Sequence, residues 1–287
     1  MSFRRPARAP WDVIDVPMAR PQRKETPVRV HGYLLVATAF TMWIAHGAGY
    51  AAAMLAFLIC HEGGHYLACR AYGVSASLPY FLPAPPMIFL PGTLGAVIRV
   101  HDPFPNRNAL FDMGASGPWG GFVVALPVLA VGLALSTIST EPLDSMYFVF
   151  GDSLVTVAVE RLVVGDLPAG TYLVQHPLAF AGWFGMLVTS LNLLPVGQLD
   201  GGHVAYALGI RSRIFPIFLV SILVWLAWYS WSGWAFWAGI LLIMIALGHP
   251  PTMADHVPLS PGRRVGAFLS LILLMITFVP NPITLVP

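Results

Sequence analysis

The stretch YAAAMLAFLICHEGGHYLACR, residues 50–70, decides how the rest of the chain is read. Tyr50 to Cys60 is uninterrupted apolar sequence, and the same segment then carries His61, Glu62 and His65. A run of about 20 apolar residues is long enough to cross a bilayer core of about 30 Å as a helix. On that helix, positions i and i+4 share a face, so the two imidazoles point to the same side. Polar groups here are expensive, at about 2.5–3.5 kcal/mol for a charged residue near the centre of a membrane helix, so a functional site is expected. His61-Glu62-Gly63-Gly64-His65 is an HExxH motif. Its spacing lets His61 and His65 clasp one Zn²⁺ per chain, while Glu62 suits a carboxylate that takes a proton from water at the metal.

Working outward, the 287 residues are 57% hydrophobic and 10% charged, with mean hydropathy +0.73, which makes lipid the expected solvent for most of the chain. A net charge of +2, with its cations scattered, excludes a nucleic-acid-binding face. Cys60 and Cys69 share one apolar stretch, so no disulfide framework is expected. Stretches of membrane-spanning character lie at 32–48, 50–70, 109–136, 177–200, 213–230, 232–248 and 264–280. The expected fold is an all-α polytopic membrane protein with about seven transmembrane helices. Residues 1–30 read as a basic disordered cytoplasmic tail without an apolar leader. Residues 31–280 form the intramembrane domain, with its core at about 50–210, and 281–287 form a short C-terminal tail. With the N-terminus in the cytoplasm, Arg70, Arg99, Arg107, Arg211, Arg213, Arg263 and Arg264 fall inside and Arg161 outside, as the positive-inside rule requires. The external loop, 137–176, is acidic, and its apolar middle suggests a short interfacial helix.

Residues 73–108 are neither a span nor a polar loop. Pro79, Pro83, Pro85, Pro86 and Pro91 forbid a continuous helix, and 92–100 has strand composition after a turn signal. A small membrane-associated β-hairpin at the cytoplasmic interface is expected. Its Gly92, Thr93, Leu94, Gly95, Ala96 and Val97 are expected to offer an edge on which an extended substrate adds as a strand.

A third metal ligand is needed. The HExxHxxGxxH arrangement fails, because Ala68 and Ala71 stand where Gly and His would be. Asp200, in NLLPVGQLDGGH at 192–203, is the better candidate, since Pro195 and Gly197 break the helix before it and turn it inward. His203, three residues on, is the rival ligand.

These motifs, with FLPGTLGAVIRVHDPFPNRNALFDMGASGPWGG and the later GHPPTMADHVPLSP, resemble the site-2 protease family of intramembrane zinc metalloproteases, peptidase family M50. The resemblance covers about residues 50–265 and is closest to the EGY-like and cyanobacterial branch without a PDZ domain. It implies that His61, His65 and Asp200 hold zinc, that Glu62 activates water, and that Asn192 steadies the substrate or its oxyanion. Gly117, Pro118, Gly120 and Gly121 match the family's glycine-proline segment, read as a re-entrant turn or close-packing site. No stretch has the length and polarity for a PDZ or CBS domain. The implied activity is hydrolysis of peptide bonds within or near transmembrane segments, the partners being a transmembrane protein substrate and the lipid bilayer, with no oligomeric state implied. The alternatives are a metal-ion transporter and a catalytically silent membrane adaptor. A prokaryotic plasma membrane is the expected location, with the active site near the cytoplasmic side.

Overall fold

The computed structural model describes residues 26–140, 147–212 and 214–286, so most of the basic tail lies outside the described residues. Each of the seven apolar stretches is helical, for the reason that marked them in the sequence: side chains without polar groups leave the backbone to satisfy itself. The first two merge into α1, Val28–Ala71. Its single non-helical residue is Gly47, at φ 87° and ψ 176°, a conformation open to glycine and rare for other residues. The chain folds back there. A straight helix would set His31 about 60 Å from Ala71, yet His31 Nδ1 donates to the Pro79 carbonyl at 3.0 Å. The intervening eight residues reach at most about 28 Å.

Helix α2, Arg107–Ala134, is started by Asn106, whose side chain accepts from the Ala109 amide. Helix α3, Leu154–Val163, lies in the expected external loop, begun by a Ser153 capping box. Helix α4, Pro177–Asn192, ends well before residue 200. The expected 177–200 span is therefore a helix, a turn through Pro195 and Gly197 (φ 55°), and a second short helix, α5, Asp200–Leu208. Helices α6, Ile214–Tyr229, α7, Gly233–Leu247, and α8, Pro261–Thr277, complete the bundle. Two of the helices, α1 and α2, have by themselves the length and apolar composition to cross a membrane, while α6 and α7 are shorter apolar helices.

Glycines set how closely α1, α2 and α4 approach. A Cβ on Gly64 would meet the Ser116 carbonyl oxygen at 2.6 Å, and one on Gly120 the Cys60 oxygen at 2.7 Å. Gly132 and Gly182 likewise leave room for the backbones of Ala179 and Leu129. Such backbone contact is how helices associate where surrounding lipid is as apolar as their side chains.

The predicted hairpin is present as β1, Tyr80–Pro83, antiparallel to β2, Thr93–Val97. Rather than lying apart, it follows α1 on both sides of Gly47: Thr41, His46 and Tyr50 donate to the carbonyls of Gly92, Leu90 and Pro91. Two further ladders were not foreseen. Strand β3, Thr137–Ser139, pairs with β5, Tyr172–Val174, and β4, Tyr147–Phe150, pairs with β6, Ile283–Val286, so part of the expected C-terminal tail is a strand. At the opposite end of the bundle Arg107 and Arg211 meet Asp255, and Arg263 meets Asp112.

Candidate metal centre

His61 and His65 sit on the second half of α1, which turns them toward α2, α4 and α5; each is at most 4% exposed. The turn after α4 delivers Asp200 at the first residue of α5. That turn is compact because Gly201 and Gly202 let α5 lie directly on the backbone of Leu193, Val196 and Gly197. Asp200 Oδ2 is 3.3 Å from His61 Nε2 and 3.3 Å from His65 Nε2. Tetrahedral zinc with bonds of roughly 2.0–2.1 Å needs donors about 3.3–3.4 Å apart, so the spacing fits. Among the described residues these three are the one group of His, Cys, Asp or Glu brought together in this way.

The surroundings support the same use of the donor atoms. His65 Nδ1 donates to the Met113 carbonyl at 2.6 Å, so that in the neutral ring Nε2, turned inward, carries the lone pair. A Cβ at Gly117 would overlap the His65 ring, with Cδ2 at 2.6 Å and Nε2 nearer still. The space beside the ligand atom exists because residue 117 has no side chain. Gly121 leaves room for the Phe57 ring, 2.7 Å from where its Cβ would be, and for the Nδ1 side of His61 at 3.2 Å.

Glu62, 6% exposed, lies beside the group and faces the backbone of Ile98. This contact has a local cause. The hairpin pairing slips between Ala76↔Val100 and Tyr80↔Val97, so Ser77 to Pro79 oppose only Ile98 and Arg99. A bulge of this kind frees a backbone group from the ladder and re-aims it. The Asn192 amide, at the last residue of α4, stands 3.2 Å from His61 Nε2.

His203 is placed elsewhere. Its Nδ1 is 2.7 Å from His249 Nε2, and His249 Nδ1 is 2.6 Å from the Pro250 carbonyl. Because a carbonyl can only accept, His249 carries its proton on Nδ1, and His203 donates to His249. Burial holds His249 below the usual imidazole value, in keeping with this neutral pair. Of the hairpin residues expected to meet a substrate, Gly92 and Thr93 are committed to the hairpin itself. Gly92 packs on the Thr41 and Met42 backbone, and buried Thr93 donates to the Leu82 carbonyl. Leu94 and Val97 are open, at 60% and 50% exposure. The Met113 carbonyl and the Ile98 amide were missed from sequence, since any residue type can supply either.

A buried two-histidine, one-carboxylate group with a glutamate beside it, inside an apolar helical bundle, is the arrangement of a membrane metallopeptidase. The chain belongs to peptidase family M50, whose pattern matches residues 49–227. It is 32% identical over 233 residues to the "Probable zinc metalloprotease EGY1, chloroplastic" of Arabidopsis thaliana, covering 79% of this chain and 42% of that protein. Its similarity to the rice (Oryza sativa subsp. japonica) protein of the same name is 30% over 233 residues, 79% of this chain and 39% of that one. To the "Probable zinc metalloprotease EGY2, chloroplastic" of the same subspecies it is 35% over 158 residues, 54% of this chain and 28% of that one. The chain thus spans about two fifths or less of the length of these relatives. No solved structure matches it.

Proposed function

We propose that this chain is an intramembrane zinc metalloprotease that cuts other membrane proteins within or near their transmembrane segments. The observation that carries the reading is the convergence of His61 Nε2 and His65 Nε2 on Asp200 Oδ2, each at 3.3 Å and all three within 4.8 Å of one another, with Glu62 buried beside them. His61, His65 and Asp200 hold the zinc. When bound, the metal supplies a Lewis acid and makes water a nucleophile near neutral pH. Glu62 takes the proton of the attacking water and returns it to the leaving amine. The Ile98 amide steadies the Glu62 carboxylate for this exchange. With the His61 Nε2 lone pair engaged, the Asn192 amide is free to donate to the scissile carbonyl oxygen as charge develops there.

A helical peptide bond is shielded by its own hydrogen bonds, so the substrate must be extended before attack. The exposed part of β2, Leu94 to Val97, has no second strand partner among the described residues, and Ile98 follows it directly to Glu62. A substrate strand added there reaches the catalytic residues.

All seven apolar stretches cross the membrane in this reading, the two halves of α1 separately, with the N-terminus cytoplasmic. Outward-facing Trp225, Trp228, Phe236 and Phe268, each more than half exposed, support a lipid-facing belt. A prokaryotic plasma membrane is proposed from the basic tail, while the relatives named above are chloroplastic.

The test is cleavage of single-span substrates by purified, zinc-quantified protein, wild type beside Glu62→Gln. Both should carry zinc, and the variant should lose at least about 10²-fold in turnover, as expected when a general base is removed. Turnover by Glu62→Gln at the wild-type rate, or a wild type that holds no zinc, overturns the reading.

A further inference from the structure

Arg263 lies on α8, beyond the residues matched by the family, yet it meets the end of α1, which carries His61 and His65, and α2, whose Met113 carbonyl orients His65. Its Nε and Nη2 grip Asp112 Oδ1 and Oδ2 at 2.8 and 2.7 Å, a two-pronged charge-assisted pair. Tyr72 donates its hydroxyl proton to Asp112 Oδ2 and accepts from Arg263 Nη2 at 2.9 Å. Each partner has a revealing address. Tyr72 is the C-cap of α1, two turns beyond His65. Asp112 directly precedes Met113, whose carbonyl accepts the His65 Nδ1 proton.

A second couple repeats the contact further along: Trp119 Nε1 donates to Ser270 Oγ at 3.0 Å. From Asp112 to Trp119 and from Arg263 to Ser270 the step is about two turns, or about 10.5 Å. Helix α8 therefore runs alongside α2 in the same direction, and its polar couples fix both the axial register and the rotation of α2. The Met113 carbonyl and Gly117, which both meet the His65 ring, lie on α2 between these two couples.

We propose that Arg263 is a positioning residue for the metal centre. By clamping Asp112 and Tyr72 together it fixes the register of the ligand helix α1 on α2, and so holds the Met113 carbonyl that orients His65. Without the clamp the His65 Nδ1 hydrogen bond loosens, and the ring is no longer held in the tautomer that leaves Nε2 free to bind metal. The inference rests on the zinc reading above.

The experiment measures zinc affinity by chelator competition, and the visible absorption of the Co²⁺-substituted protein, on the full chain in detergent. Arg263→Ala and Asp112→Asn should each weaken zinc binding by about tenfold or more, the range seen when partners that orient a ligand are lost. Both should also shift the Co²⁺ spectrum. Arg263→Lys keeps the charge without the planar fork and should fall between them and wild type. Leu273→Ala opens a cavity in the same helix away from the clamp, so it should lower the melting temperature while leaving zinc affinity unchanged. The proposal is overturned if Arg263→Ala and Asp112→Asn bind zinc within about twofold of wild type with unaltered Co²⁺ spectra, well short of the loss expected for an orienting partner. It is also overturned if Leu273→Ala weakens zinc as much as they do. Should Arg263→Ala fail to fold, Arg263→Lys and Asp112→Asn decide. A wild type without zinc removes the protease reading and this inference with it, whereas zinc in wild type and variants alike removes this inference alone.

Discussion

Gly63, beside the ligands in sequence, and Gly117, against the His65 ring, differ at the scale of one methyl group. A Cβ at Gly63 meets nothing within 4 Å, whereas one at Gly117 lands on the His65 ring. The ring cannot retreat without giving up its 2.6 Å bond to the Met113 carbonyl. Gly117→Ala should therefore lose at least about nine tenths of its bound zinc, the tenfold effect of disturbing a ligand's orientation. Gly63→Ala should keep its zinc and gain up to about 0.5–1 kcal/mol of helix stability. Metal analysis of the purified proteins, with melting curves, checks both, and a full zinc complement in Gly117→Ala would remove the argument for that glycine. At this scale the sequence was legible where spacing itself carries chemistry. His61, Glu62 and His65 could be read from i, i+4 geometry, but choosing between Asp200 and His203 needed the fold. The two are three residues apart on α5, and what separates them is His249, 46 residues on, which takes the His203 proton.

The seven apolar stretches were legible as elements because hydrophobic length is a local property. Pro195 and Gly197 announced the break before Asp200, though its extent, from Asn192 to Asp200, depended on how closely Gly201 and Gly202 let α5 lie on the turn. The hairpin was legible from its prolines and strand composition. Its route along α1 was not, since that rests on carbonyls at Leu90, Pro91 and Gly92 accepting from His46, Tyr50 and Thr41. The β4 and β6 pairing joins segments with six helices, α3 to α8, between them and leaves no local signal. For the hairpin the consequence is a backbone test. Proline placed in turn at Leu94, Ala96 and Ile98 removes one amide donor at a time, at the outer edge of β2 or at Glu62. Each lost backbone hydrogen bond is worth about 0.5–1.5 kcal/mol, so turnover should fall by up to about tenfold while zinc content holds. Equal turnover in all three variants would show that β2 only supports the fold.

For the whole molecule, the pairings across the bundle agree with the seven crossings proposed above without reference to charge. His31 meets Pro79, so an even number of crossings separates them, which the two halves of α1 supply if both cross. Asp255 meets both Arg107 and Arg211, which α2 with α4, and then α6 with α7, satisfy in pairs. The β4 and β6 ladder requires an even number between residues 150 and 283, and α4, α6, α7 and α8 provide four. With three crossings before β4, the proposed arrangement has seven in all, and it would set Val28 and β6 on opposite sides. In that proposed arrangement the positive-inside rule would put the end with Arg107, Arg211 and Arg263 in the cytoplasm and Arg161, on α3, at the other. In a background with Cys60 and Cys69 replaced by alanine, Ser212→Cys should react with a membrane-impermeant maleimide only after the membrane is opened. Gly170→Cys and Asn281→Cys should react in intact cells. Labelling of Asn281→Cys from the same side as Ser212→Cys would break the parity set by β6 and refute the seven-crossing arrangement. Labelling with all three sides exchanged would keep the arrangement and reverse its orientation, placing the zinc site toward the opposite face.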